Sequence, residues 1–442
     1  MRIAVQSLIV CFVTLPAALS IAGEFEEAAA GNWHQWRGPL ATGVSPTAEP
    51  PTEWSEEKNI KWKVRIPGDG SSTPAVWGDR VYVLSAEATD RAADEKPEVH
   101  PDAKTLPPDV YYRFLVLCLD RATGKVLWQK TACEAVPHEG RHQSHSYAGS
   151  SPLTEGRRLY AFFGSRGLFC YDLDGQLLWR RDFGKMRTRY GWGEAATPAL
   201  HGDTLIVPWD QEDESFVVAL DAATGETRWR KDRDEPTGWA TPLIVEQDGA
   251  TQVILNGANR VRSYDLTNGE LLWECGGQTV NAIPSPVRHG DAVVCMSGYR
   301  GYHACAIPLA ARGDVTGGET VRWSHGRGTP YVPSPLLYDG LLYFTRANSA
   351  ILTCLDAESG EPAYEMERLS ELNSLYASPS AADGKIYITD RDGVTMVLRH
   401  GREFKVLAVN RLDDPVDASP VPIGKSLLLR GRRHLYCIEE SQ

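Results

Sequence analysis

A Ser-Pro or Thr-Pro dipeptide opens a short apolar run at eight places in the sequence. After a first interval of 78 residues, the dipeptides recur every 41 to 49 residues. A recurrence of this length is typical of an array of one supersecondary unit, which must stack on its neighbours to bury its apolar faces. The dipeptides are Thr73-Pro74, Ser151-Pro152, Thr197-Pro198, Thr241-Pro242, Ser285-Pro286, Ser334-Pro335, Ser378-Pro379 and Ser419-Pro420.

Each unit contains four predicted strands. The dipeptide is followed by an alternating strand, a Gly-Asp or Asp-Gly turn and a second strand, as in residues 198–207. A third apolar run ends in Asp, a turn carries Gly, and a fourth run ends in Trp, with the spacing D-x3-G-x3-W at Asp221, Gly225 and Trp229. Four strands in each unit predict a propeller blade. The spacing recurs at Asp120, Gly124 and Trp128, at Asp265, Gly269 and Trp273, one residue shorter at Asp172, Gly175 and Trp179, and with tyrosine at Asp356, Gly360 and Tyr364.

We predict an all-β chain that folds as a single eight-bladed propeller of four-stranded antiparallel blades. The 40 glycines and 28 prolines interrupt any helical period. The last unit supplies only three strands, and an unassigned strand from Ile60 to Val64, carrying Trp62, precedes the first unit. We expect this N-terminal strand to complete the C-terminal blade, because closing the ring removes two uncovered edges.

The regions outside the repeats divide the chain into three predicted parts. Residues 1–22 carry a basic residue, an apolar stretch too short to span a bilayer and small residues suited to cleavage, so we predict a signal peptide. Residues 23–58 are rich in tryptophan, and we expect this extension to pack on the side or base of the propeller. Residues 59–442 form the propeller. Within the propeller, residues 86–113 lengthen the first repeat. We expect this charged insertion to be a surface loop beside the mouth, where it is a candidate lid.

Net charge and the N-terminal segment limit where the protein is expected to act and what it is expected to bind. The formal net charge is −12, which argues against a general nucleic-acid binder. With a signal peptide and no further apolar span, we expect an exported protein, periplasmic or extracellular, without a transmembrane segment and monomeric.

The repeat resembles a known family. A D-x3-G-x3-W spacing with a following Ser-Pro or Thr-Pro is similar to the PQQ-type propeller repeat. That repeat occurs in eight-bladed quinoprotein dehydrogenases and in non-catalytic relatives such as the BamB type of outer-membrane assembly lipoprotein. The resemblance covers residues 60–440, and the fifth unit departs from it through an extended turn at residues 310–320.

The resemblance leaves the activity open. The resembling dehydrogenases hold PQQ with a stacking Trp, a disulfide between adjacent cysteines, an Arg, and a calcium or lanthanide ion bound by Glu, Asn and Asp. Here no two cysteines are adjacent, and no Asp-Tyr-Asp element stands in the rim loops. We therefore favour a ligand-binding or protein-interaction module over an enzyme. One alternative is an enzyme on the same face, either a metal-dependent carbohydrate-active enzyme or a PQQ-dependent oxidoreductase. Another is an envelope assembly scaffold that binds other envelope proteins.

Arginine recurs in the loops between the second and third strands, which open on one face around the central channel. The guanidinium group suits carboxylate, sulfate or phosphate, and a concave site focuses positive charge in an otherwise acidic protein. We predict a mouth that binds an anionic ligand, such as an acidic or sulfated saccharide. The alternative is that these groups form local ion pairs and cap backbone carbonyls. The residues are Arg166, Arg260, Arg300, Arg346, Arg391 and Arg430.

Aromatic and polar side chains belong to the same predicted rim. Sugar rings and planar cofactors stack on aromatic faces, although packing between blades is the alternative role. The further candidate ligand-binding residues are Arg189, Trp192, Trp209, Tyr302 and Asn348. The loops before the first strands also carry Trp239, Asn281, Tyr331, Tyr376 and Asp417.

A histidine-rich segment enters the second unit with the spacing H-x3-H-x2-H, at His138, His142 and His145. Imidazole is a common ligand of zinc, copper and iron, so His142 and His145 with Glu194 form a candidate divalent-metal site. The alternative is a loop of histidines that hydrogen-bond their neighbours.

Eight cysteines follow the predicted signal peptide. Four of them occupy the same position before the end of a third strand, where a small buried residue is needed, and we predict free core thiols there. Cys295 and Cys305 lie on neighbouring predicted strands and can pair, while the state of Cys133 and Cys275 stays open. The four core positions are Cys118, Cys170, Cys354 and Cys437.

Overall fold

Eight β-sheets surround a central channel in the computed structural model, which describes residues 25–97 and 99–440. Seven sheets have four strands and one has five. The predicted all-β, eight-bladed propeller is therefore confirmed. The predicted signal peptide, residues 1–22, lies outside the described residues.

The blades follow one another along the chain, each with its first strand next to the channel. Blade 1 comprises Ala75–Trp77, Arg80–Ala92, Val110–Asp120 and Val126–Ala135; blade 2, Leu153–Thr154, Arg158–Phe162, Leu168–Asp172 and Leu177–Arg181; blade 3, Ala199–His201, Thr204–Trp209, Ser215–Asp221 and Thr227–Arg233; blade 4, Leu243–Gln247, Ala250–Leu255, Val261–Asp265 and Leu271–Cys275. Blade 5 comprises Val287–His289, Ala292–Ser297, His303–Pro308 and Trp323–His325; blade 6, Leu336–Tyr338, Leu341–Thr345, Ile351–Asp356 and Pro362–Arg368; blade 7, Ser380–Ala382, Lys385–Thr389, Val394–Arg399 and Val406–Arg411; blade 8, Val421–Ile423, Ser426–Arg430 and His434–Glu439, with Ile60–Arg65 as its outer strand.

The N-terminal strand closes the ring as predicted. Ile60–Arg65 pairs antiparallel with His434–Glu439, with Trp62 opposite Cys437 and Val64 opposite Leu435. Blade 8 is thus built from both ends of the described chain, which leaves the circle without an open first or last blade.

A belt of eight hydrogen bonds circles the channel at the repeated dipeptides. The backbone N–H of Thr73 donates to Oγ of Ser151 at 3.0 Å, and Ser419 N–H donates back to Oγ1 of Thr73 at 3.1 Å. The hydroxyl before each proline therefore satisfies a backbone donor of the preceding blade, which explains why the repeat requires Ser or Thr there. The other donor and acceptor pairs are Ser151 to Thr197, Thr197 to Thr241, Thr241 to Ser285, Ser285 to Ser334, Ser334 to Ser378 and Ser378 to Ser419, at 2.9 to 3.4 Å.

The tryptophan of the fourth strand joins neighbouring blades. Nε1 of Trp128 in blade 1 donates to the Leu173 carbonyl of blade 2 at 2.9 Å, and its ring lies against Gly175. Gly175 has φ +82°, and a Cβ there would lie 2.9 Å from the indole. Glycine in the D-x3-G-x3-W motif is thus needed for both the turn and the close approach of the previous blade's tryptophan. The same contact pairs Trp62 with Gly124, Trp179 with Gly225, Trp229 with Gly269 and Trp323 with Gly360.

Residues 25–58 form a strap across the base, the face that carries the turns between first and second strands. Its main chain hydrogen-bonds to blades 1, 2, 6, 7 and 8, so it crosses the channel axis. The donor and acceptor pairs are Trp33 N to Val76 O, Thr154 N to His34 O, Leu337 N to Thr42 O, Ser45 N to Ala381 O and Glu49 N to Gly424 O.

Two insertions depart from the regular blade. Residues 86–113 were expected to be a surface loop, but the second and third strands of blade 1 continue through much of the segment, with Glu87 opposite Arg113. The tip reaches the approach to blade 3, where Oγ1 of Thr105 donates to the Gly191 carbonyl at 3.0 Å. The extended turn of blade 5 leaves its own blade, since Gly313–Asp314 pairs in parallel with blade 4 as a fifth strand.

Candidate functional site

The central channel holds a cavity of about 410 Å³. Hydroxyl groups of the belt form part of its wall, and the loops before the first strands form its mouth. The opposite end is covered by Trp36 of the strap. The cavity is therefore a cup that opens on one face of the ring. Its aromatic lining residues are Trp36, Trp192, Trp239, Tyr299, Tyr331 and Tyr376.

Arg37 fixes the floor of the cup. Its side chain is 3% exposed; Nη1 donates to the carbonyl of Pro379 and Nη2 to that of Pro335, both at 2.8 Å. These prolines follow belt serines in blades 7 and 6, so the strap is tied directly to the repeat. Burial lowers the pKa of Arg37 to about 9.

Aromatic rings crowd one side of the mouth. Tyr299 and Tyr331 stack with ring centroids 4.6 Å apart, and Trp192 meets Tyr299 edge to face at 6.3 Å. Tyr190 packs on Trp192 at 5.2 Å. Trp239 is oriented by the bond from its Nε1 to the Gly193 carbonyl at 2.8 Å. The mouth thus presents several ring faces and edges on side chains that hold one another in place.

Three of the predicted arginines lie behind these rings. The Arg391 guanidinium lies 4.1 Å from the Tyr376 ring centroid and pairs with Asp417 at 2.6 Å. Arg300 lies 5.3 Å from the ring of Tyr299, and Arg189 lies 5.5 Å from the ring of Tyr190. Among the described residues, no carboxylate lies within ion-pair distance of Arg189 or Arg300. These two groups therefore supply positive charge at the rim that no carboxylate neutralises.

The other predicted arginines make local contacts away from the cavity. Arg260 pairs with Asp314 at 2.8 Å on the outer side of blade 4, and Nε of Arg346 donates to the Tyr302 hydroxyl at 3.0 Å. Arg430 is 1% exposed and donates to the backbone. The cavity wall itself carries no arginine within residues 25–97 and 99–440. The predicted ring of arginine is thus reduced to a few groups behind an aromatic wall.

Three further predicted residues do not line the cavity. Trp209 is buried in the core of blade 3, stacked on Phe216 at 5.7 Å, and does not reach the cavity. Asn348 supports the wall, since its Oδ1 accepts from the N–H of Val332 at 3.0 Å. Nη2 of Arg166 lies 3.4 Å from Nδ1 of His138, between blades 2 and 3.

The structure does not bring the three predicted metal ligands together. His142 and His145 line the cavity, where Nδ1 of His142 meets the Ser144 hydroxyl at 2.6 Å. Nε2 of His145 contacts the backbone carbonyl of Glu194 at 3.1 Å, not its carboxylate. The Glu194 carboxylate instead lies with His138 and Glu139, whose ligand atoms are all within 4.8 Å of one another.

The ionisable groups of this second cluster are strongly perturbed. Burial raises the pKa of Glu139 and of Glu194 to about 7, while hydrogen bonds from Thr188 and Ser165 oppose the shift. Burial lowers the pKa of His138 to about 4, so its imidazole is neutral near pH 7. The cluster combines a neutral imidazole with two carboxylates in a poorly solvated position.

The donors of the cavity do not fit the metal-quinone centre that the resemblance implies. Among the described residues, Asp417 is the one carboxylate in the lining, and it accepts from Arg391 and Arg432. A carboxylate held by two guanidinium groups is a poor ligand for a hard cation. The eight cysteines described are all free, including Cys295 and Cys305, which face each other across two strands of blade 5.

Some lining residues were not among the predicted site residues. Tyr299 precedes Arg300 in a loop that the sequence did single out, and the Gly-Tyr-Arg-Gly context was its available signal. No signal in the sequence pointed to Trp36, because only the path of the strap places this residue under the channel. The pairing of Glu139 with Glu194 across two connections between blades is also invisible in the sequence.

Comparison with known proteins agrees with this architecture. A family model described as outer membrane protein assembly factor BamB matches residues 113–366. A search of curated protein sequences gives no match. Within the described residues, no helix combines the length and apolar character needed to cross a bilayer.

Solved structures of low sequence identity share the fold. BamB from Moraxella catarrhalis is 14% identical, with a TM-score of 0.58 over 87% of this chain and 98% of that one. Quinohemoprotein alcohol dehydrogenase from Comamonas testosteroni is 11% identical, with a TM-score of 0.61 over 95% and 83% of the two chains. The quinohemoprotein alcohol dehydrogenase ADHIIG from Pseudomonas putida HK5 is also 11% identical, with a TM-score of 0.58 over 96% and 83%. Because the family model matches more than half of the chain, this protein belongs to the PQQ-type propeller family described as outer membrane protein assembly factor BamB.

Proposed function

We propose that the protein is an exported binding protein that takes a small, ring-bearing anionic ligand, such as an acidic saccharide, into the mouth of its central cavity. The observation that carries this proposal is the cup itself, which Trp36 closes at the base and aromatic rings surround at the mouth. A cavity of about 410 Å³ with aromatic walls and a few polar groups is typical of small-molecule sites.

The wall suits a ligand with both apolar ring faces and hydroxyl groups. Trp192 and Tyr299 offer ring surfaces for stacking, and His142, Ser144 and the belt hydroxyls offer hydrogen-bonding partners. These polar groups already have partners within the protein, and the belt hydroxyls, which accept from backbone N–H groups, keep a proton that a ligand oxygen can accept.

Charge at the rim supports an anionic ligand. Arg391 is neutralised by Asp417, whereas Arg189 and Arg300 have no carboxylate partner among the described residues. Attraction to these two groups acts from the edge of the cavity, where solvent and salt screen it. We therefore expect the arginines to adjust affinity, with most of the binding energy coming from the aromatic wall.

Calorimetric titration with acidic and matched neutral oligosaccharides tests the proposal. Trp192→Ala should weaken binding of the acidic ligand by roughly 10-fold or more, since loss of one stacking partner costs on the order of 1 to 3 kcal/mol. Arg300→Ala should weaken it by about 3-fold at low salt and less at high salt. The matched control is Arg260→Ala, which removes an arginine paired with Asp314 away from the cavity. Equal effects of the two arginine variants, or binding unaffected by Trp192→Ala, would reject the proposal.

Exposed apolar pairs on outer strands favour protein contact as a second candidate function. Leu177 and Leu178 of blade 2 are 51% and 50% exposed, and Val126 and Leu127 are exposed on the adjacent blade 1. Large exposed apolar side chains on neighbouring edges are typical of interaction surfaces. If this edge binds another envelope protein, Leu177→Ser with Leu178→Ser should abolish co-purification of that protein and leave saccharide binding unchanged. Co-purification retained by the double variant would contradict this second function.

A further inference from the structure

Three mouth connections converge on a small cavity outside the central cup. His138 and Glu139 lie in the segment entering blade 2, Glu194 lies in the segment entering blade 3, and Ser165 belongs to a loop of blade 2. Nε2 of His138 is 3.7 Å from Oε1 of Glu194 and 2.6 Å from the carbonyl oxygen of Met186. One imidazole and two carboxylates therefore lie together, and Nε2 of His138 is also hydrogen-bonded to the Met186 carbonyl.

A small cavity of about 30 Å³ lies beside these groups. Its wall includes His138, Glu139 and Glu194 together with apolar side chains such as Phe162 and Phe163. The volume exceeds the roughly 10 to 15 Å³ that one water molecule needs, so a single ion or water fits there. The cavity is an observation separate from the ligand set, and it gives an ion space next to the three side chains.

Both carboxylates are held in place by groups that do not neutralise them. Glu194 accepts from the Ser165 hydroxyl at 2.6 Å, and Glu139 accepts from the hydroxyl and the N–H of Thr188. Among the described residues, no lysine or arginine nitrogen lies within ion-pair distance of either carboxylate. Oriented carboxylates without a cationic partner are what a bound metal requires, and hydrogen bonds to metal ligands are the usual support.

We propose that His138, Glu139 and Glu194 bind one divalent cation, Mn²⁺ or Zn²⁺. The imidazole favours Mn²⁺ and Zn²⁺ over Ca²⁺ and Mg²⁺, and the carboxylate oxygens are compatible with Mn²⁺ and with Zn²⁺. The ion joins the segments that enter blades 2 and 3. Since Glu194 follows Trp192 by two residues, the ion also fixes the backbone that carries this ring into the central cavity.

Arg166 opposes the ion and offers a specific test. Its Nη2 lies 3.4 Å from Nδ1 of His138, and its buried Nε has no partner. In the structure Nε2 of His138 donates to the Met186 carbonyl and Nδ1 faces the guanidinium donor. A cation at Nε2 replaces the hydrogen bond to Met186 and shifts the proton to Nδ1, towards the guanidinium. Arg166→Gln removes the like charge and supplies an amide oxygen that can accept this proton, so it should tighten metal binding.

The experiment uses the full chain after removal of metal with a chelator. Titration is followed by calorimetry with Zn²⁺ and by electron paramagnetic resonance with Mn²⁺, and Ca²⁺ serves as the comparison ion. We expect one ion per chain, with Glu194→Gln and His138→Gln each lowering affinity by at least about 10-fold. Arg166→Gln should raise affinity several-fold. His142→Gln is the matched control, because this histidine lines the central cavity and should leave the affinity unchanged.

Two outcomes would overturn the site. The first is the absence of saturable binding of either ion to the wild-type chain, which would mean that the carboxylates are held only by protons and hydrogen bonds. The second is equal affinity in the wild type, Glu194→Gln and Arg166→Gln, which would place the ion elsewhere. Circular dichroism of each variant confirms that the propeller is intact, and the gain expected for Arg166→Gln does not depend on a destabilising change.

Discussion

The base and the mouth of the ring are made from the same repeats but are completed in different ways. At the base, the strap of residues 25–58 pairs through its main chain with five blades. Its own residues Trp33, His34 and Arg37 are buried against the propeller. At the mouth, side chains contact one another across a cavity that stays open. The main-chain pairing indicates that the base serves stability, and the open mouth is where we propose that a ligand binds.

Backbone geometry also differs between the connections of the repeats on the two faces. In the turns between first and second strands, the left-handed residues other than glycine are Asp248, Asp339 and Asp383. Aspartate accepts this conformation more readily than most residues. In the mouth connections the same conformation is held by Tyr190, with φ +56°, and Arg300, with φ +55°. The strap at the base holds the same conformation at Arg37, with φ +71°, and Ala41, with φ +54°, so this backbone strain occurs at both faces.

The largest expected effect comes from matched tryptophan variants. Trp33, a residue of the strap, is fully buried among the core side chains of blades 1 and 8, whereas Trp192 is half-buried at the mouth. Trp33→Ala should lower the free energy of unfolding by about 3 to 5 kcal/mol, the usual result of truncating a core tryptophan. Trp192→Ala should lower it by less than about 1 kcal/mol. Urea denaturation measures both, and comparable losses would contradict the assignment of stability to the base.

Acid should destabilise the base through His34, as it should the mouth through His138 and His145, because burial lowers the pKa of each histidine to about 4. Burial lowers the pKa of His34 to about 4, against an ordinary value of 6.5, so the unfolded chain binds this proton more tightly. The stability that neutral His34 provides is therefore complete above pH 6.5, and up to about 3 kcal/mol is lost as the pH falls towards 4. His34→Gln should reduce the pH dependence of stability over this range by the contribution of that one histidine, whereas His142→Gln at the mouth should leave it largely unchanged. Superimposable pH profiles for wild type and His34→Gln would refute the prediction.

A smaller effect is expected from a pair of arginine variants. Arg37→Met removes hydrogen bonds to the buried carbonyls of Pro335 and Pro379 and should lower the free energy of unfolding by about 2 kcal/mol. Arg300→Met changes an exposed group and should lie within about 0.5 kcal/mol of the wild type. The measurement is again urea denaturation. If Arg37→Met left the free energy of unfolding unchanged, the strap would be held by its main chain alone.

The fold was predictable because the repeat records contacts that occur in every blade. Ser or Thr before Pro forms the belt, and Gly and Trp of the D-x3-G-x3-W motif meet across neighbouring blades. Each contact requires one residue type at one spacing, so the sequence displays it repeatedly. Even the closing strand was identifiable, since Trp62 occupies the position that the last unit lacks.

The site was less predictable because its contacts occur only once. The sequence placed Arg300 and Trp192 at the mouth, but it also grouped them with Trp209, which packs in a core, and with Arg260, which pairs with Asp314. A residue that ends a strand can point to the channel or to the next blade, and alternation alone does not decide which. Likewise, the spacing of the histidines did not reveal that His138 is the one beside the Glu194 carboxylate.

The most direct test of the open mouth as the binding centre is a crystal structure of the protein soaked with an acidic oligosaccharide. We expect density for the sugar within the cup, against Trp192 and Tyr299, with its carboxylate towards Arg300 or Arg189. An empty cup with the saccharide bound at the base or on an outer strand would show that the mouth is not the binding centre.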